Sequence, residues 1–303
     1  MLISREGSVS MKKYTIVMMI VALLWGCSSP NKYDELSSTL ANTNATKAYN
    51  IGIAFGGGGV RGFMHLGVIK ALEEEGLKAN LVSGSSAGSI AAILYASGMT
   101  YAEIETIVYD LEARDVLDFV LSSQGAINGK KLSDWINRHV NYDDLSSLPI
   151  PLAITATNLT NKEIFVIHSG NPGHAVQASS SIPGAVIAID YQGDVLVDGG
   201  LLSVVPVYPL REMGANKVIA VDIYCHNQKS LTPDASAGEV VIATIRMQSC
   251  RLSEEEMNSA DLVINMDYEP SSFADFDSKS EAIEAGYQIT KKMMPSIKAL
   301  IEL

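Results

Sequence analysis

The chain has 303 residues, 47% hydrophobic and 18% charged, a globular balance that argues against disorder and allows one large α/β domain or two small ones. A formal net charge of −12 argues against nucleic acid as a partner, because phosphate binding needs a basic face. It also argues against adhesion to anionic lipid by charge alone, so any membrane attachment has to come from another device.

The first predicted element is such a device. Met11-Lys12-Lys13 is a short basic start, Tyr14 to Leu24 is almost wholly apolar, and Gly26-Cys27 leads into polar Ser28-Ser29-Pro30-Asn31. A bilayer span needs about 20 apolar residues, so this run has the layout of a signal peptide. Small Gly26 before Cys27 resembles a bacterial lipoprotein signal, in which Cys27 becomes the lipidated first residue. A plain signal peptide with an incidental cysteine is the alternative, and Met11 competes with Met1 as initiator. Removing residues 1–26 takes away two Lys, one Arg and one Glu, so the formal charge moves from −12 to −14. Lipid would then hold the protein at a membrane. Ser28 after Cys27 resembles an outer-membrane sorting signal, with the domain facing the periplasm. Residues 27–48, rich in Ser, Asn, Thr and Lys, read as a polar tether, and 49–303 as one domain.

Ile51 to Phe55 predicts a short buried strand. Gly62 to Glu75 has helical spacing of Leu66, Ile69, Ala71 and Leu72, with Gly76 as C-cap. Asn80 to Ser83 reads as the next strand, and Ala87 to Ala96 as a helix whose alanines let it pack closely on a sheet. Helical patterns follow over 101–119 and 131–140, then strands over 152–158 and 163–168, and short apolar runs at 195–197, 217–223 and 262–266. A closing helix runs from Ser280 towards Ile301, interrupted near Pro295. This alternation predicts an α/β fold: a layered, mostly parallel sheet with helices on both faces.

Some stretches have plain readings. Asp110 to Ile127 reads as a core helix followed by a loop, the alternative being a cover over a site or a contact with lipid. Glu73-Glu74-Glu75 and Glu254-Glu255-Glu256 read as solvated helix faces. Cys225 and Cys250 read as small apolar core residues, although an export route permits a disulfide between them. No Cys-x-x-Cys or His-x-x-x-His pair suggests a metal site.

Two glycine turns carry the chemistry. Gly56-Gly57-Gly58-Gly59-Val60-Arg61-Gly62 follows the first strand and opens a helix, where backbone N–H groups can hold a negative charge. Gly57, Gly59 and Gly62 also satisfy the GxGxxG of a dinucleotide-binding turn, so the motif alone leaves a nucleotide-binding protein open. Gly84-Ser85-Ser86-Ala87-Gly88 has the form of a nucleophile elbow, in which Gly84 and Gly88 leave room for a turn that exposes Ser86. A serine hydroxyl needs a base. Asp198 and His226 follow in the order of a Ser–Asp–His triad, while Asp198 alone, in Asp198-Gly199-Gly200 after an apolar run, is the other candidate. His65 reads as a packing or capping residue, and His139, His168 and His174 as surface or satisfied polar positions.

Gly57 to Gly62, Gly84 to Gly88, Asp198-Gly199-Gly200 and the preceding Ala178-Ser179-Ser180-Ser181-Ile182-Pro183-Gly184 together resemble the patatin-like phospholipases over about residues 50–225. Gly200 departs from an alanine common in that family. The resemblance implies a lipid acyl hydrolase of phospholipase or lysophospholipase type, with Ser86 as nucleophile and Asp198 as base. It implies an oxyanion hole among the N–H groups of Gly57, Gly58 and Gly59, and no metal or organic cofactor. Arg61 is then expected to fix the loop, since its guanidinium stays charged. The partners implied are a lipid substrate and, through Cys27, a membrane; oligomeric state is left open. A non-catalytic lipoprotein scaffold is the remaining alternative.

Overall fold

The computed structural model describes residues 29–38, 49–226, 231–271 and 275–302. The signal-like segment, Cys27 and residues 39–48 lie outside these. Strands β1 (Tyr49–Phe55), β2 (Leu81–Ser85), β3 (Leu152–Asn158), β4 (Glu163–Ile167), β5 (Ile189–Tyr191), β6 (Asp194–Asp198), β7 (Ala215–Asp222) and β8 (Leu262–Asn265) form one sheet. Its order is β5-β6-β3-β2-β1-β7-β8, with β4 also paired to β3. Neighbours from β3 through β2, β1 and β7 to β8 are parallel, whereas β4, β5 and β6 pair antiparallel. The predicted mostly parallel α/β sheet is therefore what forms.

The helices are α1 (Met64–Glu74), α2 (Ala87–Ala96), α3 (Tyr101–Tyr109), α4 (Ala113–Val116), α5 (Lys130–His139), α6 (Pro172–Ser179), α7 (Val207–Glu212), α8 (Ala237–Leu252), α9 (Glu254–Asn258) and α10 (Lys279–Glu302). The apolar residues of α1 and α2 join the larger core on one side of the sheet. Val205, Val207 and Leu210 pack with Leu81 and Val218 in a second core on the other. Helices α1 and α10 cross at glycines: a Cβ on Gly67 would stand 2.1 Å from the Ile283 carbonyl oxygen, and one on Gly286 2.1 Å from that of Met64. Helix α10 runs unbroken through Pro295, contrary to the expected interruption. Proline removes only one helical donor, and buried Met294 and Ile297 pin the helix on either side.

Three further expectations change. The helical pattern over 101–119 is two short helices, α3 and α4, and 117–127 is a looped segment closed by a Phe119–Ile127 bridge rather than a continuation of a core helix. Residues 29–38, inside the stretch read as tether, lie against the domain, with Tyr33 and Leu36 buried and β-bridges at Lys32–Asp190 and Ser37–Ser169. Tyr33 also stacks on the His174 ring at 3.8 Å. The composition of this segment favours solvation, but two large side chains in ten residues are enough to dock it.

The topology places the site. Strand β4 takes one edge of β3 along residues 154–158, so β2 and β6 must share the other. Ser85 at the end of β2 lies opposite Thr155, and Asp198 at the end of β6 lies opposite Ala156, the next residue. Two strands far apart in sequence thus meet end to end, and the residues leaving them converge.

Candidate active site

Ser86 sits between β2 and α2 with φ 51° and ψ −125°, a left-handed conformation that a non-glycine residue holds only when its surroundings impose it. The surroundings are tight. A Cβ on Gly84 would lie 2.5 Å from the Gly88 carbonyl oxygen, and one on Gly88 2.0 Å from that of Phe55. The Ser86 N–H donates to Ser179 Oγ at 2.8 Å, and Ser179 Oγ donates to the Thr155 carbonyl at 2.7 Å. The segment ahead of Asp198 therefore braces the elbow from below.

Ser86 Oγ donates to Asp198 Oδ2 at 2.6 Å, and both residues are buried. Asp198 Oδ1 accepts from the Gly200 N–H at 2.8 Å, and its backbone is held by Ser181 and Thr157. Burial raises the Asp198 carboxyl to about 6, although the hydrogen bonds from Ser86 and Gly200 favour its ionised form. A Cβ on Gly199 would stand 2.1 Å from the Thr155 carbonyl oxygen, so glycine lets β6 turn against β3. Gly200, where alanine is common, has its nearest obstacle at Asp198 Oδ1, 3.0 Å away.

The glycine loop lies beside the serine. A Cβ on Gly57 would be 3.1 Å from Ser86 Cβ, and one on Gly62 2.9 Å from Ala87 Cβ. The Gly57 N–H, however, donates to the Val204 carbonyl at 2.9 Å. Of the three donors expected, that one is committed to the fold, leaving Gly58 and Gly59 at the start of the 3-10 turn Gly59–Phe63. Buried His65 bonds the Gly56 carbonyl through Nε2 at 2.8 Å. Burial lowers the ring to about 4, so it is neutral and serves the loop as a donor.

Arg61 bonds the glycine loop itself and a carboxylate outside the motifs. Its guanidinium donates to the Gly58 carbonyl at 3.2 Å and to both oxygens of Glu269, from Nε at 3.1 Å. Arg246 of α8 also reaches Glu269, at 3.3 Å, and donates from Nε to the Tyr224 carbonyl at 2.8 Å. Burial opposes ionisation of Glu269, but hydrogen bonding and charge from Arg61 and Arg246 outweigh it and hold the carboxyl below its usual range. A Cys225–Cys250 disulfide ties α8 to the exit of β7 beside this network. That corrects the reading of two separate core cysteines: their Cα atoms are 5.4 Å apart, a distance set by tertiary packing.

His226 is half exposed and paired with Asp267 at 3.1 Å, and its backbone N–H is held by Asp222. Its ring bonds neither Ser86 nor Asp198, so the triad order is not realised in space. Glu256 also departs from expectation. It is buried beneath residues 202–206 and the start of α7, accepting the Tyr208 N–H at 2.9 Å, while Glu254 and Glu255 stay exposed. Among the described residues no group of three or more His, Cys, Asp or Glu is placed to hold a metal ion.

A cavity of about 370 Å³ opens from Ser86, in the size range of small-ligand sites. Its walls are almost wholly apolar, with Val60, Phe63, Ile90, Leu94, Leu132, Trp135 and Val186 among them. Leu111, Val116, Leu117, Phe119 and Ile127 belong to the same lining, so these five residues of the Asp110–Ile127 segment border the site, whereas Leu121 is outside the lining. Ser180 contributes a buried hydroxyl that has no hydrogen-bond partner among the described residues.

Fold and site define an α/β protein with a serine–carboxylate pair beside an apolar cavity. Residues 53–211 match the patatin-like phospholipase family, and the chain belongs to that family. It is 31% identical over 200 residues to Lysophospholipase NTE1 of Scheffersomyces stipitis, a match covering 64% of this chain and 13% of that protein. It is 31% identical over 175 residues to an uncharacterized NTE family protein of Mycobacterium bovis, covering 57% of this chain and 49% of that one. The chain thus spans about half, or much less, of these relatives. Among solved structures, VipD from Legionella pneumophila aligns with a TM-score of 0.51 at 16% identity, over 91% of this chain and 73% of that one, a likeness of fold.

Proposed function

We propose that the protein is a lipid acyl hydrolase of phospholipase or lysophospholipase type, acting through a Ser86–Asp198 dyad. The observation that carries this reading is the 2.6 Å hydrogen bond from Ser86 Oγ to a buried carboxylate beside an apolar cavity. A long acyl chain fills the cavity, and its ester carbonyl lies at Ser86. Ser86 Oγ attacks the carbonyl carbon while its proton passes to Asp198 Oδ2, a group raised into the range where a carboxylate works as a base. The oxyanion so formed is held by the N–H groups of Gly58 and Gly59; one such donor contributes about 3 kcal/mol. Collapse breaks the ester C–O bond, and the departing alcohol takes the proton back from Asp198. Water then attacks the acyl-enzyme, gives its proton to Asp198, and releases the fatty acid with Ser86 restored. Ser180 Oγ is available to the polar end of the substrate.

Export as a lipoprotein anchored at Cys27, in the outer membrane facing the periplasm, belongs to the same proposal. It is supported by the N-terminal layout and by the disulfide, which suits an oxidising compartment. Product analysis by mass spectrometry on a mixed lipid extract tests the activity: released fatty acid should appear with wild type and vanish with Ser86→Ala. His226→Ala should keep most of the activity. A larger loss there than in Asp198→Asn would restore the triad. Protection by nucleotides in a thermal-shift assay would instead favour the phosphate reading of the glycine loop. Incorporation of a labelled fatty acid into wild type and not into Cys27→Ala tests the anchor.

A further inference from the structure

The pocket lining does not stop at the protein surface. Phe119 lines the cavity and is yet 74% exposed, and Leu121, two residues on, is also 74% exposed. Both lie on a small hairpin. Phe119 and Ile127 form an antiparallel bridge, and the Val120 N–H donates to the Ala126 carbonyl at 2.9 Å. The base is fastened: the N–H groups of Ala126 and Ile127 both donate to the Ala185 carbonyl, and Asp118 Oδ1 accepts the Gly129 N–H at 2.7 Å. Residues 119–127 carry no charge in a chain whose net charge is −12. An exposed, uncharged, hydrogen-bonded tip continuous with an apolar cavity is built to stand in an apolar medium.

The N-terminal segment points to the same face. Asn31 Nδ2 donates to Asn128 Oδ1 at 3.1 Å, at the foot of the hairpin. Cys27 is four residue steps from Asn31, so at about 3.5 Å per step a lipid on Cys27 would lie within about 14 Å of Asn31. Helix α8 also exposes Val240, Val241 and Ile242, but these do not line the cavity.

We infer that hairpin 119–127 is a bilayer-docking tip, inserting Phe119 and Leu121 at the headgroup–acyl boundary of a lipid surface. An acyl chain leaving that surface would pass along Phe119 into the cavity without crossing water. The inference rests on the proposed hydrolase activity and anchor, and its partner is an uncharged or zwitterionic surface, since the net charge repels an anionic one.

Full-length Leu121→Trp, mixed with phosphatidylcholine vesicles, should show a blue shift and quenching by brominated acyl chains beyond the signal of the native tryptophans. Full-length Leu121→Ser should keep wild-type turnover of monomeric 4-nitrophenyl butyrate. On 4-nitrophenyl palmitate dispersed in the same vesicles it should lose about tenfold, the effect of withholding one exposed leucine from lipid. All variants share one N-terminus, so the ratio of the two rates isolates the tip. Absence of quenching at the introduced tryptophan of Leu121→Trp, or an equal vesicle loss in Val241→Ser, overturns the assignment. So does a Leu121→Ser variant that changes only self-association. Absence of butyrate turnover in wild type would instead defeat the hydrolase reading, and the quenching result would still report on the tip.

Discussion

Asp198→Asn should separate activity from stability in one substitution. The carboxyl has an ordinary value of about 3.9 in an unfolded chain and about 6 in the fold, where burial is the main cause. Above pH 7 both states hold the ionised form, and the native state bears its desolvation. At about 1.36 kcal/mol per pH unit, the gap between those values puts that burden at about 3 kcal/mol. Asparagine removes it while keeping the contacts: its oxygen can accept from Gly200, and its amide can donate to Ser86 Oγ. The variant should therefore be more stable than wild type at pH 8 by about 3 kcal/mol, or about 6–12 °C in Tm for a domain of this size. The sign follows from linkage. Wild type binds more protons folded than unfolded between about pH 4 and 6, so its stability falls as pH rises through that window. The advantage of the Asp198→Asn variant should accordingly shrink towards zero below pH 4. Urea unfolding at pH 8 and pH 4 measures both values, and ester turnover should be lost at each pH. Equal stability at pH 8, or retained turnover, would refute a buried carboxylate base.

Three other outcomes follow from the same geometry. The kcat/KM for a soluble ester should rise with pH to a plateau, with a midpoint near the Asp198 value of about 6 and about a tenfold fall per unit below it; a midpoint abolished by His226→Ala would point to the imidazole. Reducing the Cys225–Cys250 bridge, or replacing both cysteines by serine, should cost about 3 kcal/mol for a closed loop of 25 residues, read as a shift in urea midpoint. Glu269→Gln leaves Arg61 and Arg246 without their shared counter-charge; with the carboxylate one-fifth exposed, about 2–3 kcal/mol of stability should go. The same variant should lower kcat while leaving KM nearly unchanged, because what loosens is the glycine loop and not the acyl cavity.

What the chain discloses depends on how local the signal is. The elbow is legible because Gly84 answers to a contact within one strand–turn–helix unit, the Gly88 carbonyl oxygen, whereas Gly57, Gly62 and Gly88 answer to contacts between the first two such units. The Ser86–Asp198 contact is suggested by motif but made by β3, whose one edge is shared between β2 and β6, a fact no spacing encodes. Arg246 and Glu269 leave no pattern, since each is one charged residue, Arg246 in an apolar helix and Glu269 in a polar segment, and gains its role only when α8 and the segment after β8 meet Arg61. Glu256 is one of three consecutive glutamates, and only the placement of residues 202–206 and the start of α7 decides which is buried. Tyr33 and Leu36 are masked by the polar residues around them. The commitment of the Gly57 N–H to Val204 is likewise invisible without the loop that carries Val204.

The central claim is that Ser86 is the nucleophile and Asp198 its base. Peptide mapping after reaction with a fluorophosphonate ester tests it most directly. Wild type should carry one adduct, on Ser86, Ser86→Ala should carry none, and Asp198→Asn should label at least a hundredfold more slowly. An adduct on another residue, or undiminished labelling in Asp198→Asn, would contradict the account.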